Sequence, residues 1–195
     1  MKIGVDKGQK AGKHNVKHKM LLDSGNELDF FPIPYGDYIE VTPEVQEIIE
    51  GKMKRKNGKV QKKDLVGHIS VSVDTKRDIR ELYGCLATDH KRFRNECEWA
   101  KESGCQLYIL TENEDGVTSI DNFHRWKNKE GYKRYSWLRH RANLRGWEPP
   151  KPPVPNASLV KTMRTMEDKY GVRFLFCKPD ETAGQIEGLL RGGET

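Results

Sequence analysis

Three apolar runs of strand length alternate with amphipathic helices along this chain of 195 residues. The runs are HISVSVDT (68–75), CQLYILTEN (105–113) and VRFLFC (172–177). Apolar residues recur at helical spacing between them, over 77–89 and 159–171. Because no such helix can bury its apolar face alone, the strands are expected to form one sheet beneath the helices. The pattern predicts an α/β fold with a mixed central β-sheet flanked by helices.

The remaining segments are expected to extend this sheet. KIGVD (2–6) reads as a strand, HNVKHKMLLDSG (14–25) as a helix, and residues 27–41 as two extended pieces broken by prolines. A short helix capped by Thr42 then leads into a lysine-rich loop, which we interpret as an insertion. The roughly forty residues after the proline-rich stretch at 149–155 are too few for a separate core. We therefore expect a single domain over 1–195, with a basic aromatic insertion at about 124–155.

Charge and cysteine usage limit the class of partner and the compartment. Lys and Arg outnumber Asp and Glu by 35 to 29, giving a net charge of +6 and a pI near 9.0. This balance favours a polyanionic partner, although a solvated basic surface explains it equally well. The four cysteines lack metal-ligand spacing, which indicates buried reduced thiols and a cytoplasmic protein. No apolar stretch is long enough to span a membrane and no signal-peptide core is present, so no membrane partner is expected.

The acid-x-lysine tripeptide Asp74-Thr75-Lys76 lies at the end of the first run. Positions two apart on a strand share a face, so Asp74 and Lys76 are expected to project side by side. With Asp37 as a second carboxylate, they would suit Mg²⁺ (or Mn²⁺). Lys76 would orient or deprotonate the attacking water, or stabilise the charge that develops on the phosphate. Metal-assisted hydrolysis of a phosphodiester is the chemistry predicted. The alternatives are a turn aspartate at 37 and a surface lysine paired with Asp74.

A basic and aromatic stretch, HRWKNKEGYKRYSWLRHRANLRGW (124–147), favours nucleic-acid binding. Its aromatic residues could stack on unpaired bases, although a core role for them is favoured. The loop at 52–63 could also contact a phosphate backbone. Two further arginines begin the helix at 90–104. The expected DNA-binding residues are Arg92, Arg94, Lys133, Arg134, Arg139 and Arg141.

Four short motifs occur in order: VD (5–6), PYGDY (34–38), VDTK (73–76) and HKRF (90–93). This ordered set resembles the XPF-type nuclease domain of the excision-repair cross-complementation group-four nucleases, a branch of the PD-(D/E)xK superfamily. The closing segment, 159–177, resembles the small stand-alone bacterial and phage members. The resemblance implies a restriction-endonuclease-like architecture and an Mg²⁺-dependent endonuclease acting on branched or flap DNA in recombination or repair. It also implies a bacterial or phage-encoded cytoplasmic protein that could pair as a homodimer.

The same resemblance assigns roles to individual residues. Asp37, Asp74 and Lys76 match the catalytic motif, and Asp6 matches the aspartate that ends the first strand. The implied metal set is Asp6, Asp37 and Asp74, with the carbonyl of Thr75 as a further ligand. The family's central arginine is replaced by Thr75, its first-strand D-x-R-E by Asp6-Lys7-Gly8-Gln9, and its later aspartate by Arg80. These departures keep two alternatives open: a non-catalytic nucleic-acid-binding module with a degenerate nuclease site, and a protein-interaction component.

Overall fold

One six-stranded sheet forms the centre of the computed structural model, which describes residues 1–9, 12, 14–55 and 58–192. The strand order is β2-β1-β3-β4-β5-β6. β3 runs antiparallel to both neighbours, whereas β1–β2, β4–β5 and β5–β6 are parallel pairs. The predicted mixed sheet is therefore confirmed, including the return of the last strand to it. The strands are β1 (Lys2–Asp6), β2 (Glu27–Phe31), β3 (Tyr38–Glu40), β4 (Val71–Lys76), β5 (Gln106–Glu112) and β6 (Arg173–Cys177).

Seven α-helices occur in the described residues, and they flank the sheet. Single helical turns cover Lys62–Asp64, Phe123–Arg125 and, as a π-helical continuation of the third helix, Gly84–Thr88. The helices are α1 (Asn15–Asp23), α2 (Pro43–Met53), α3 (Ile79–Tyr83), α4 (His90–Glu102), α5 (Lys129–Arg145), α6 (Asn156–Tyr170) and α7 (Thr182–Leu190).

The apolar side chains form two cores, one on each face of the sheet. The larger core packs α2, α3, α4 and α6 against the sheet, and the smaller core contains apolar residues of α1 and α7. Successive side chains of β5 point to opposite faces of the sheet, so Ile109 packs in the larger core and Leu110 in the smaller one. The central strands are thus covered on both faces, as expected for a sheet flanked by helices.

Local signals in the sequence begin and end several helices: those at Thr42, Gly25 and Gly104 were predicted, whereas the cap at Asp78 was not. Thr42 Oγ1 accepts a hydrogen bond from the N–H of Val45 at 3.3 Å and begins α2. Asp78 Oδ1 accepts the N–H of Glu81 at 2.7 Å and begins α3. Gly25 and Gly104 adopt φ of 81° and 75° just after α1 and α4, where a residue with a side chain would be strained.

The basic aromatic segment differs from the expectation of a core role for its aromatics. Trp126 is buried, but Tyr132, Trp137 and Trp147 are 48%, 55% and 58% exposed. The core prediction was therefore wrong for these three residues. The cause is the position of α5, in which Ala142 is the buried residue.

Three smaller expectations concern the lysine-rich loop, the cysteines and the membrane. The loop at 52–63 includes residues 56 and 57, so its predicted contact with phosphates lies partly outside the described residues. All four cysteines are free and buried, as predicted, and burial raises the pKa of each thiol. Among the described residues, none of the helices combines the length and the apolar character needed to cross a lipid bilayer.

Candidate active site

A cleft of about 670 Å³ lies at the edge of the sheet where β1 and β4 end and β3 begins. Asp37 directly precedes β3, and its N–H donates to the carbonyl of Val73 at 2.9 Å. The β3–β4 register pairs Tyr38 with Val73, so one step further Asp37 lies opposite Asp74. Acidic and basic side chains dominate the lining, which includes Asp6, Asp37, Asp74, Lys76, Glu81, Arg92 and Glu96.

Asp74 and Lys76 form a buried ion pair on one face of β4. Lys76 Nζ lies 2.5 Å from Asp74 Oδ2, and the two residues are only 8% and 6% exposed. The ammonium also lies 5.5 Å from the centre of the Phe93 ring, on α4. The two side chains thus share a direction, as their spacing predicted. The alternative was a surface lysine paired with Asp74: the pairing is present, but the surface position is wrong, because Lys76 is buried against the Phe93 ring.

The electrostatics of Asp74 are unusual for a carboxyl group. Burial raises the pKa of Asp74 to about 7, and the Asp37 and Glu96 carboxylates contribute in the same direction, while Lys76 opposes them. Burial by itself would lower the pKa of Lys76, but the Asp74 carboxylate more than compensates and raises it. Lys76 is consequently protonated at neutral pH, and the surrounding carboxylates make the cleft attractive to a cation.

Thr75 holds the carboxylate of Asp37 against β4. Its N–H and its hydroxyl both donate to Asp37 Oδ2, at 2.9 and 2.7 Å. Thr75 is therefore a donor to one of the two central carboxylates. Its carbonyl as a metal ligand stays a prediction.

Asp6 reaches the same cleft from the end of β1. Its Oδ1 accepts the N–H of Ile33 at 3.0 Å, and its N–H donates to the carbonyl of Asp37 at 2.8 Å. The fold thus brings Asp6, Asp37 and Asp74 to one cleft from three strands. Within the described part of the chain, however, no group of three or more His, Cys, Asp or Glu side chains is arranged to hold a metal ion.

Glu96 belongs to the cleft and was not foreseen from the sequence. Its Oε1 accepts the N–H of Gly36 at 3.2 Å, which links α4 to the turn before Asp37. Helical spacing predicts that Phe93 and Cys97 lie on the buried face of α4, so Glu96 is expected at the border of that face. Nothing in the sequence says which flank meets the cleft.

The six basic residues expected to bind DNA fall into three places. Arg92 lines the cleft and pairs with Asp89 and, at 4.0 Å, with Glu96. Arg94 faces a separate cavity between α4 and α6. The other four, Lys133, Arg134, Arg139 and Arg141, lie on α5.

The basic residues of α5 do not share one face. Arg134 and Arg139 are five residues apart, which separates them by about 140° around the helix axis. Arg141 stacks its guanidinium 4.6 Å from the centre of the Trp137 ring, and Arg145 does the same on Trp147 at 4.7 Å. A single nucleic-acid strand could therefore contact some of these residues together, but not all four of the predicted set.

The sheet order and the acidic cleft at the ends of β1 and β4 define a restriction-endonuclease-like α/β fold. The sequence itself matches no protein-family model and no curated protein. Among solved structures, the fold is similar to one described as "XPF from Aeropyrum pernix", with a TM-score of 0.55 and 16% sequence identity. The match covers 98% of this chain and 64% of that one, so this chain spans less than two thirds of its length. At this identity the likeness shows the fold alone.

Proposed function

We propose that this protein is a metal-dependent DNA endonuclease that hydrolyses phosphodiester bonds. The observation that carries the proposal is the buried Asp74–Lys76 pair, which lies opposite Asp37 in a cleft of a nuclease-like fold. Carboxylate, lysine and a second carboxylate from the neighbouring strand are the groups that phosphodiester hydrolysis requires.

Mg²⁺ or Mn²⁺ is the ion that the donor chemistry fits. Asp37 and Asp74 would hold it, with Asp6 and the Thr75 carbonyl as further candidates. Mg²⁺ is often bound by one or two carboxylates together with waters and substrate phosphate, so a protein cluster of three ligands is not required. When bound, the ion would lower the pKa of a coordinated water and neutralise charge on the phosphate. The raised pKa of Asp74 supports this assignment, because a cation would favour its ionised form.

Lys76 would act through its charge. Its raised pKa keeps the amine protonated, which suits stabilisation of the negative charge that develops on the phosphate and does not suit a general base. Thr75 would position Asp37 through the two hydrogen bonds that it donates. Arg92, at the rim of the cleft, would contact a substrate phosphate.

Helix α5 would bind unpaired nucleotides of the substrate. Its exposed Trp137 and the following Trp147 each carry a stacked arginine, and aromatic rings beside cations are the usual platform for single-stranded bases. This feature supports branched or flap DNA as the substrate and a role in recombination or repair. A homodimer and a cytoplasmic bacterial or phage setting stay predictions from the resemblance.

The test is a cleavage assay with duplex, flap, fork, four-way-junction and RNA substrates, each with Mg²⁺, with Mn²⁺ and with EDTA. Asp37→Asn, Asp74→Asn and Lys76→Met should each reduce cleavage by about 100-fold or more, as loss of a group that stabilises the transition state does. Asp168→Asn, an exposed acid on α6, is the matched control and should cleave normally. Cleavage that survives in Asp74→Asn would refute the assignment.

The alternative is a non-catalytic nucleic-acid-binding module with a degenerate nuclease site. Two observations favour it: the described residues hold no three-membered metal cluster, and threonine replaces the family's arginine at position 75. Salt-sensitive DNA binding without cleavage of any substrate would select this alternative. Absence of DNA binding would favour a protein-interaction component.

A further inference from the structure

A basic cavity between α4 and α6 lies apart from the cleft. Its volume is about 330 Å³, and its lining is His90, Arg94, Lys161, Thr162, Thr165, Met166, Lys169 and Tyr170. Three of these side chains carry a permanent positive charge at neutral pH and one is an imidazole. No carboxylate occurs among the described residues that line it.

Two of the residues that line the cavity, His90 and Arg94, each have a buried nitrogen without a hydrogen-bond partner among the described residues. His90 and Arg94 are one helical turn apart on α4, so their side chains lie on the same face. His90 Nδ1 and Arg94 Nε are both buried and have no hydrogen-bond partner within the described residues. Arg94 Nε always carries a proton, and a buried N–H without an acceptor costs about 1–3 kcal/mol, so an acceptor near Arg94 would stabilise the folded protein.

The other polar groups of the lining do not supply this acceptor. The hydroxyls of Thr162 and Thr165 donate to carbonyls of their own helix, at 2.9 and 2.8 Å. The floor is formed by Met166 and Tyr170, which are buried. Positive charges that converge on one cavity repel each other unless an anion lies between them. A tetrahedral oxyanion with several acceptor oxygens is attracted to this group of positive charges.

We propose that this cavity binds a backbone phosphate of the nucleic-acid substrate, at a nucleotide other than the one that is cut. The proposal rests on the proposed function, because α4 carries both sites. Its Arg92, Glu96 and Trp99 line the cleft, whereas His90 and Arg94 line the cavity. The two sites are separated by the width of one helix, about 10–12 Å with side chains. Arg94 and Lys161 supply the charge-assisted hydrogen bonds that phosphate binding needs.

The test compares two double variants that each remove one arginine and one lysine. Arg94→Gln/Lys161→Gln alters the cavity. The control, Lys19→Gln/Arg173→Gln, removes exposed charges from α1 and from the start of β6. DNA binding is measured in EDTA over a range of salt concentrations, so the result does not depend on cleavage. The cavity variant should bind DNA about tenfold more weakly than the control, and its log-log salt slope should fall by about 0.7–0.9 for the lost phosphate contact.

Equal affinities and slopes for the two double variants would overturn the proposal, and so would a wild-type protein that binds no DNA. Lys161→Gln alone changes an exposed side chain and should show part of the loss, even if the change at Arg94 disturbs folding. A titration with inorganic phosphate at constant ionic strength tests the source of the ligand. Binding of phosphate that requires Arg94, with DNA affinity unchanged, would indicate a site for free phosphate and would also overturn the proposal. Where the wild type cleaves DNA, the cavity variant should raise KM and leave kcat unchanged.

Discussion

The substitution Asp74→Asn should change how the stability of this protein depends on pH. The pKa of the Asp74 carboxyl is about 7 in the folded chain, against an ordinary value of 3.8. A carboxyl group whose pKa is higher in the folded state stabilises the protein when protonated. That stabilisation is present below about pH 4 and is lost as the pH rises to about 7. A difference of about three pH units corresponds to about 4 kcal/mol at 1.36 kcal/mol per unit.

The quantity to measure is the difference in unfolding free energy between Asp74→Asn and wild type. It should increase by about 1.4 kcal/mol per pH unit between pH 4.5 and 7. The variant also deprives Lys76 of its charged partner. That loss removes the main cause of the raised pKa of Lys76 and changes the absolute stability. The slope between pH 4.5 and 7, and not the absolute difference, therefore carries the information.

Urea unfolding followed by circular dichroism and tryptophan fluorescence measures this slope, in buffers that contain EDTA and no divalent cation. Asp168→Asn is the control, because it makes the same change at an exposed residue of α6 that does not line the cleft. A difference for Asp74→Asn that stays within about 1 kcal/mol over the whole range would refute the reasoning, because a slope of 1.4 kcal/mol per unit would accumulate to more than 3 kcal/mol.

Three further outcomes are expected. Mg²⁺ or Mn²⁺ at about 100 times its dissociation constant should stabilise the wild type by about 2.7 kcal/mol, which thermal denaturation would show as a rise in Tm of about 5–10 °C. Asp37→Asn and Asp74→Asn should abolish this rise, and an unchanged rise in either variant would contradict the ligand assignment. Thr75→Val should remove one of the two hydrogen bonds to Asp37, lower the unfolding free energy by about 1–2 kcal/mol and weaken metal binding in calorimetry, whereas Thr75→Ser should behave as the wild type. Trp137→Ala should weaken single-stranded DNA binding by about 1–3 kcal/mol in fluorescence anisotropy and leave Tm unchanged, because this ring is 55% exposed. The same change at the buried Trp126 should instead lower the unfolding free energy by about 3–5 kcal/mol.

The elements of the fold could be predicted from the sequence because their signals are local. Strands such as β5 appear as apolar runs, α6 shows a helical period, and Thr42 and Gly104 mark helix ends. The placement of Asp74 and Lys76 on one face follows from the two-residue period of a strand.

The rest of the site depends on pairing between distant segments of the chain, and this pairing cannot be predicted from a single sequence. Asp37 faces Asp74 only because β3 runs antiparallel to β4 in one particular register. The burial of Lys76 depends on side chains of α4, including Phe93, and the entry of Glu96 into the cleft depends on the rotation of that helix. The exposure of Trp137 was missed for a related reason. A helix with apolar and basic residues around its whole circumference gives no sign of which side will be buried.

Burying carboxyl groups in the cleft lowers the free energy of unfolding, and this loss of stability is itself an argument for function. Asp74 is buried beside two further carboxylates, and uncharged residues of similar volume would commonly pack at no loss of stability. Lys76 offsets part of the repulsion, but the pKa of Asp74 stays near 7 with Lys76 in place. A divalent cation would offset the remainder, and acidic groups with raised pKa values are typical of sites that bind or react. Asp74→Asn should therefore abolish the proposed activity and also change the stability of the metal-free protein. Between pH 5 and pH 7 the wild type should lose more unfolding free energy than the variant does.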